Sequence, residues 1–486
     1  MLQSTEVVVY KQQRASYSEQ PPFHPPELYP EYPFGPMLDA SNEAYSSIRS
    51  CLHLLKLDDQ NYGKPSWNPF RDLIRPGETV LLKPNMIAHS HEFYDEWQSV
   101  ITNGSIIRAI IDYVYIALHG RGRIIIADAP QTDSNIELIK KNLSIESIQE
   151  FYWREKKFLV DFMDLRNEYW LMKQGVCVKI IKLPGDPNGN VRTDLAANSF
   201  FADHYGLGKR YYGAFYDIDE VNEHHTDTRH EYMVSYTILD SDVFISLPKL
   251  KTHKKVGVTL NLKGLVGING NKNWLPHYAI GAAEDNGDQF VRKNTSTRLE
   301  NHLVIGAKRL LLRRNPIVQI VARKLKKAAY LLFGSTDKVI RSGNWHGNDT
   351  CWRMTLDLNR ILLYGNIDGS LRTTPKRYFS LIDGVIGMEG NGPVSGKPKA
   401  VGYIIAGFNP LATDLVCTKL MGFDYRKIPM LSRAFDDSLY PFAAFSAEDI
   451  YVISNQRELH GHLVNLVPRS ELRFEPHFGW KGHVEL

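Results

Sequence analysis

DVFISLPKLKTHKKVGVTLNLKGLVGINGNKNW, Asp242–Trp274, is where the architecture of this chain is most readable. It begins with an apolar run, Val243–Leu247, of the length of a buried strand. Pro248 closes the run, because proline has no N–H to give a central strand. Lys249, Lys251, His253, Lys254 and Lys255 follow within a few residues. Beyond them come Thr259, Asn261 and Lys263, then Gly264, Gly267 and Gly270. A buried strand that delivers cations into a glycine-punctuated turn is how α/β proteins build anion sites.

The same arrangement recurs on both sides of this stretch. Thr79–Leu82 reads as a strand ending in Lys83-Pro84-Asn85, and Arg123–Ala127 as one ending in Asp128-Ala129-Pro130. Between them, Ser105–Leu118 carries Ile106, Ile107, Ile110, Ile111, Val114 and Ala117 on one helical face, stopped by Gly120 and Gly122. Strand, helix, strand with short connections predicts a parallel pair. Downstream, Tyr378–Ile382 ends in Asp383-Gly384, followed by the glycine-rich GMEGNGPVSG of Gly387–Gly396. Ala400–Ala406 then runs into Asn409-Pro410 and a helix carrying Asp414. The fold class expected is α/β: a mostly parallel sheet flanked by helices, with large insertions. Strands commonly exit into polar loops. Here, however, Lys, Asp and Asn recur immediately at the strand ends, where Gly or Ser would serve a plain turn. In such sheets ligands bind outside the carboxyl ends of the strands.

Residues 1–78 read as an N-terminal proline-rich arm and helix, and 79–486 as the α/β core, with insertions at about 184–231 and 275–343. The first insertion holds His224, His225, Asp227 and His230. In a polar loop these histidines are expected to be exposed and dispensable. The second holds a basic helical stretch at 308–327. It either packs on the domain or makes peripheral contact with an anionic membrane surface.

Bulk composition narrows the classes. The chain has 486 residues, 43% hydrophobic and 23% charged, enough for a sizeable core. Its 58 basic and 54 acidic residues balance to a net charge of +4, so no nucleic-acid partner is expected. The four cysteines, Cys51, Cys177, Cys351 and Cys417, lie far apart and form no CxxC, which fits a reducing compartment. No signal pattern or spanning-length apolar run is evident, and a cytoplasmic location is expected.

The candidate ligand-binding residues are Lys83, Asn85, Lys249, Lys251, Lys263, Asn391 and His346. The lysines suit phosphate or carboxylate. Lys263 stands between apolar Leu262 and Leu265, so a solvated role fits it poorly, whereas Lys254 and Lys255 are expected to be solvated. Asp128 and His253 are the acid–base candidates, each close behind a strand. Asp383, Glu389 and Asp414 are candidate oxygen ligands for a divalent metal, or else turn formers. In the stretch containing His346, Asn348 or Asp349 also reads as a helix N-cap.

The motifs LLKPNM at Leu81–Met86, IIIADAP at Ile124–Pro130, PKLKTH at Pro248–His253, NLKGLVGI at Asn261–Ile268 and IDGVIGMEGNGP at Ile382–Pro393 occur in order. With them the chain resembles the family designated domain of unknown function 362. NWHGNDT at Asn344–Thr350 is similar to a longer subgroup of it. The resemblance implies an α/β fold and no assigned activity. Some members carry ferredoxin-like cysteine clusters. This chain lacks that spacing, so no iron–sulfur cluster of its own is expected. The reading is a member of that family, an enzyme binding an anionic small molecule at the strand carboxyl ends, with a divalent metal as candidate cofactor. The alternatives are a redox partner working with a separate iron–sulfur protein, and a non-catalytic binding or assembly protein.

Overall fold

The apolar runs are strands, and they share one sheet. The computed structural model describes residues 2–173, 176–204, 210–213, 217–293, 339–436 and 439–486, and the basic stretch 308–327 lies outside them. Numbered along the chain, the sheet strands are β1 (Glu6–Lys11), β2 (Thr79–Pro84), β3 (Arg123–Asp128), β4 (Val160–Asp164), β5 (Val243–Leu247), β6 (Lys249–His253), β7 (Gly257–Val258), β8 (Arg377–Glu389), β9 (Lys397–Gly407), β10 (Tyr451–Ser454) and β11 (Gly461–His462). Their order is β11-β10-β1-β9-β8-β5-β2-β3-β4, with β6 paired to β7 and β8. Strands β4, β3, β2, β5 and β8 are parallel neighbours, while β9 runs antiparallel to β8 and β1.

The order reverses at one place. From β2 the chain moves outward through β3 to β4, then returns to the other side of β2 for β5 and β8. The helices of the two halves cover opposite faces. Gly104–Ala117 lies with Glu43–Leu54 in one apolar layer, and Leu260–Gly264, Cys351–Tyr364 and Pro410–Leu420 lie in the other. Strand side chains alternate to match: Val80 and Leu82 face the first layer, Leu81 the second. Crossovers leaving to opposite faces open a crevice at the carboxyl ends of β2 and β5.

The Gly104–Ala117 helix shows why the frame holds. Asn103 Oδ1 caps it by accepting from Ser105 N, and Ile106, Ile107, Ile110 and Ile111 are fully buried. Each such side chain contributes about 1.5–3 kcal/mol. Gly122, at φ +119°, ends the turn into β3, where a Cβ would lie 2.4 Å from Glu78 O.

Residues 2–78 join the same sheet and core. Strand β1 sits between β9 and β10, and Tyr29, Tyr32 and Phe34 of the proline-rich stretch are buried in the helical layer. Among the described residues, no helix is long and apolar enough to cross a membrane.

The first insertion corrects the expectation for its histidines. Asn190–Asp194 pairs with Glu231–Ser235, and this ladder buries His225 and His230. His225 Nε2 donates to Trp274 O at 2.8 Å, and His230 stacks on Phe201 with ring centroids 5.3 Å apart. Neither ring nitrogen of His230 has a partner among the described residues. The surrounding aromatics, Phe201 and Tyr232 among them, supply the core that a polar reading of the loop missed. Burial pulls His230 down to about 4. Its folded pKa lies below the unfolded value of about 6.5, so the unfolded chain binds more protons between them. Stability contributed here is present above about pH 6.5 and is lost as pH falls toward 4. His230→Phe keeps the stacked ring and removes the titration. It is expected to leave stability at pH 7 equal or higher and to flatten the fall in urea midpoint between pH 7 and 4.5. An unchanged pH profile would count against this account.

Candidate functional site

Strand β2 runs out into Lys83-Pro84-Asn85 and β3 into Asp128, side by side. Lys83 Nζ lies 2.8 Å from Asp128 Oδ1, and both side chains are buried. Asp128 also accepts Ala129 N through Oδ1 at 3.0 Å and Met86 N through Oδ2 at 2.8 Å. Both oxygens are engaged, which makes Asp128 the fixed counter-ion of Lys83. Gly267 closes over this pair: its carbonyl accepts from Ala129 N at 2.8 Å, and a Cβ there would lie 1.7 Å from Asp128 Oδ1.

After Pro248 the chain resumes as strand β6 rather than entering a turn, so Lys249, Lys251 and His253 share one face. Lys249 Nζ reaches Asp383 Oδ2 at 2.9 Å and Tyr17 OH at 2.6 Å. Lys251 Nζ donates to Val100 O at 2.8 Å and Pro393 O at 3.3 Å, and lies 3.5 Å from Asn85 Oδ1. Both lysines are completely buried, with their donors taken by protein acceptors. His253, at the end of β6, reaches the open space.

That space is a cavity of about 420 Å³ at the carboxyl ends of β2 and β3. Of the expected residues, Lys83, Asn85, Asp128, His253 and Lys263 line it. Lys254, Lys255, Lys272, His277 and Arg341 line it too. Lys255 is a correction: it is buried, its Nζ donates to Ser342 O, and it lies 4.8 Å from the Tyr278 ring centroid. Lys272 and His277 carry no local signal in the sequence. A loop beyond the glycines brings them in, with Lys272 Nζ on Val266 O at 2.7 Å and Asn348 Nδ2 on His277 O at 3.0 Å.

The cavity is cationic. Five lysines and Arg341 face it against two carboxylates, Asp128 and Asp133. Burial pulls Lys255 down to about 8 and Lys272 to about 7. Burial also lowers Lys263, with the Lys83 charge adding to the effect. His253 and His277 are held well below the usual imidazole range, first by burial and then by Lys263. Both are therefore neutral at pH 7. Lys263 is buried and has no hydrogen-bond acceptor or carboxylate partner among the described residues. Bringing unpaired ammonium groups together costs energy that an anion would offset.

The remaining expected residues lie elsewhere. Asp414 accepts Asn261 N at 3.0 Å and Leu262 N at 2.9 Å, so it anchors the turn that presents Lys263. Burial pushes it up to about 7. Glu389 pairs with Lys399 at 2.8 Å, and Asp383 with Lys249. Asp383 points into the apolar layer of Phe379 and Leu381, whereas Asp414 lies in the opposite layer. The three carboxylates thus form no common site. Among the described residues, no group of three His, Cys, Asp or Glu side chains could hold a metal ion. His346 packs on Gly479 and stacks on His483 at 3.5 Å, and Asn391 is outside the cavity lining. The N-cap of the Cys351–Tyr364 helix is Thr350 rather than Asn348 or Asp349, although Asn348 Oδ1 accepts from Cys351 N at 2.8 Å.

Residues 185–419 match the family described as a domain of unknown function (DUF362). This match supports assigning the chain to that family. The matched span carries His253, Lys263, Lys272 and His277, while Lys83 and Asp128 precede it. A thylakoid-associated protein of Synechocystis is 36% identical over 80 residues. That match covers 16% of this chain and 24% of the relative, so it spans about a quarter of the relative's length.

Proposed function

We propose that this protein binds a phosphate- or carboxylate-bearing small molecule in the Lys263 cavity and acts on it as an enzyme. The observation that carries the reading is Lys263 itself, a buried cation facing the cavity with no protein acceptor among the described residues. Neutral His253 and His277 beside it supply groups able to move protons at pH 7. A cytoplasmic setting is part of the reading, supported by four free cysteines.

Calorimetric titration with inorganic phosphate, pyrophosphate and small carboxylates tests it. At least one anion is expected to bind, and Lys263→Met is expected to weaken that binding about tenfold or more. Lys397→Met, at a lysine 67% exposed, serves as the control with no effect. Absence of anion binding, or equal binding by the Lys263 variant, overturns the reading. The thylakoid association of the Synechocystis relative favours a second reading, contact with a membrane surface through 308–327. Salt-sensitive co-sedimentation with anionic vesicles would support it.

A further inference from the structure

Two imidazoles face the cavity with opposite tautomers. His253 Nδ1 accepts from Lys255 N at 3.1 Å, so the neutral ring carries its proton on Nε2. His277 Nδ1 lies 2.9 Å from Leu275 O, and a carbonyl only accepts, so the proton is on Nδ1. His277 Nε2 is then a bare lone pair. Neither Nε2 has a partner among the described residues, and both residues are more than nine-tenths buried. Among the charged neighbours, Lys263 acts most strongly on each ring. Lys254 and Lys255 also act on His253, and Lys255 and Lys272 on His277. In their charged forms these lysines all oppose protonation of either imidazole.

We propose that the cavity selects anions that carry a hydroxyl group beside the charged oxygen, with His277 Nε2 accepting from that hydroxyl. This rests on the anion reading above. A carboxylate or phosphate dianion offers acceptors alone. It satisfies Lys263 and the His253 Nε2–H, and sets a lone pair against the lone pair of His277. A hydroxyl supplies the missing donor. A site built to hydrogen-bond a hydroxyl discriminates strongly against the analogue lacking it, because its buried polar group is then left unpaired. The inference makes His277 a specificity-determining residue.

Matched ligand pairs test it by calorimetry at pH 8: glycolate against acetate, and glycerol 3-phosphate against propyl phosphate. The two pairs distinguish a carboxylate from a phosphate as the anionic group. In the pair that binds, the hydroxylated member is expected to bind about tenfold tighter. His277→Phe is expected to erase that preference. Equal affinity within a pair, combined with loss of binding in Lys263→Met, overturns the hydroxyl inference and leaves the anion reading standing. Binding by neither pair, nor by the anions above, overturns both. Long-range ¹H–¹⁵N correlation spectra of the unaltered protein give an independent check. A protonated His277 Nε2 in the ligand-free state would overturn the assignment.

Discussion

Asp383→Ala is expected to destabilise the protein by about 3–5 kcal/mol, because it strands a buried ammonium. Asp383 is fully buried and accepts from Tyr17 OH at 2.6 Å, Lys249 Nζ at 2.9 Å and Asn103 N at 2.9 Å. These donors come from the proline-rich arm, strand β6 and the cap of the Gly104–Ala117 helix, so one carboxylate ties three elements together. Burial already pulls Lys249 below its usual range, with Asp383 opposing that pull. Removing Asp383 leaves Lys249 to lose its proton or to drag in water. Urea unfolding with linear extrapolation measures the effect. The double variant Asp383→Leu with Lys249→Met is expected to cost clearly less than the two single changes summed, since no lone charge remains. A loss below about 1 kcal/mol for Asp383→Ala would refute the knot as a stability element.

Gly267→Ala is the second large effect, and it falls on binding as well as stability. The added methyl would stand 1.7 Å from Asp128 Oδ1 and 2.8 Å from Lys83 Nζ. Neither group can retreat easily. Asp128 is pinned by Ala129 N and Met86 N, and Lys83 by Asp128. The segment must move instead, carrying the cavity wall with it. Overpacking of this kind costs about 1–3 kcal/mol, and anion affinity is expected to fall about tenfold or more as the Lys83–Asp128 pair is displaced. Gly264→Ala is the internal comparison, since a Cβ at Gly264 meets nothing within 4 Å. Its urea midpoint is expected to stay close to wild type. Unchanged anion affinity in Gly267→Ala would mean that the Lys83–Asp128 pair has no part in the site.

The strand framework was legible because its signals are local. Val243–Leu247, Thr79–Leu82 and Arg123–Ala127 are apolar runs closed by Pro or by polar residues, and each became a strand of the parallel half. Parallel neighbours share a carboxyl edge, which is why Lys83, Asn85, Asp128, His253 and Lys263 meet although the chain separates them widely. Depth was not legible. Lys249 and Lys251 read like His253, yet Pro248 interrupts β5 only briefly, and the resumed strand sinks both lysines behind the cavity wall. Nor were partners legible, since Tyr17 and Asp383 stand 366 positions apart.

Lys255, Lys272 and His277 entered the site through the loops that fold over it, where no periodicity marks burial. The same holds for His225 and His230, which a polar stretch of sequence conceals and an aromatic core encloses. Residue order along the chain was therefore enough for the α/β framework and the edge at which the cavity opens. Which cations are paired, which are free and which imidazole nitrogen is bare depended on contacts between distant segments, because burial and hydrogen-bond partnership are properties of the packed chain.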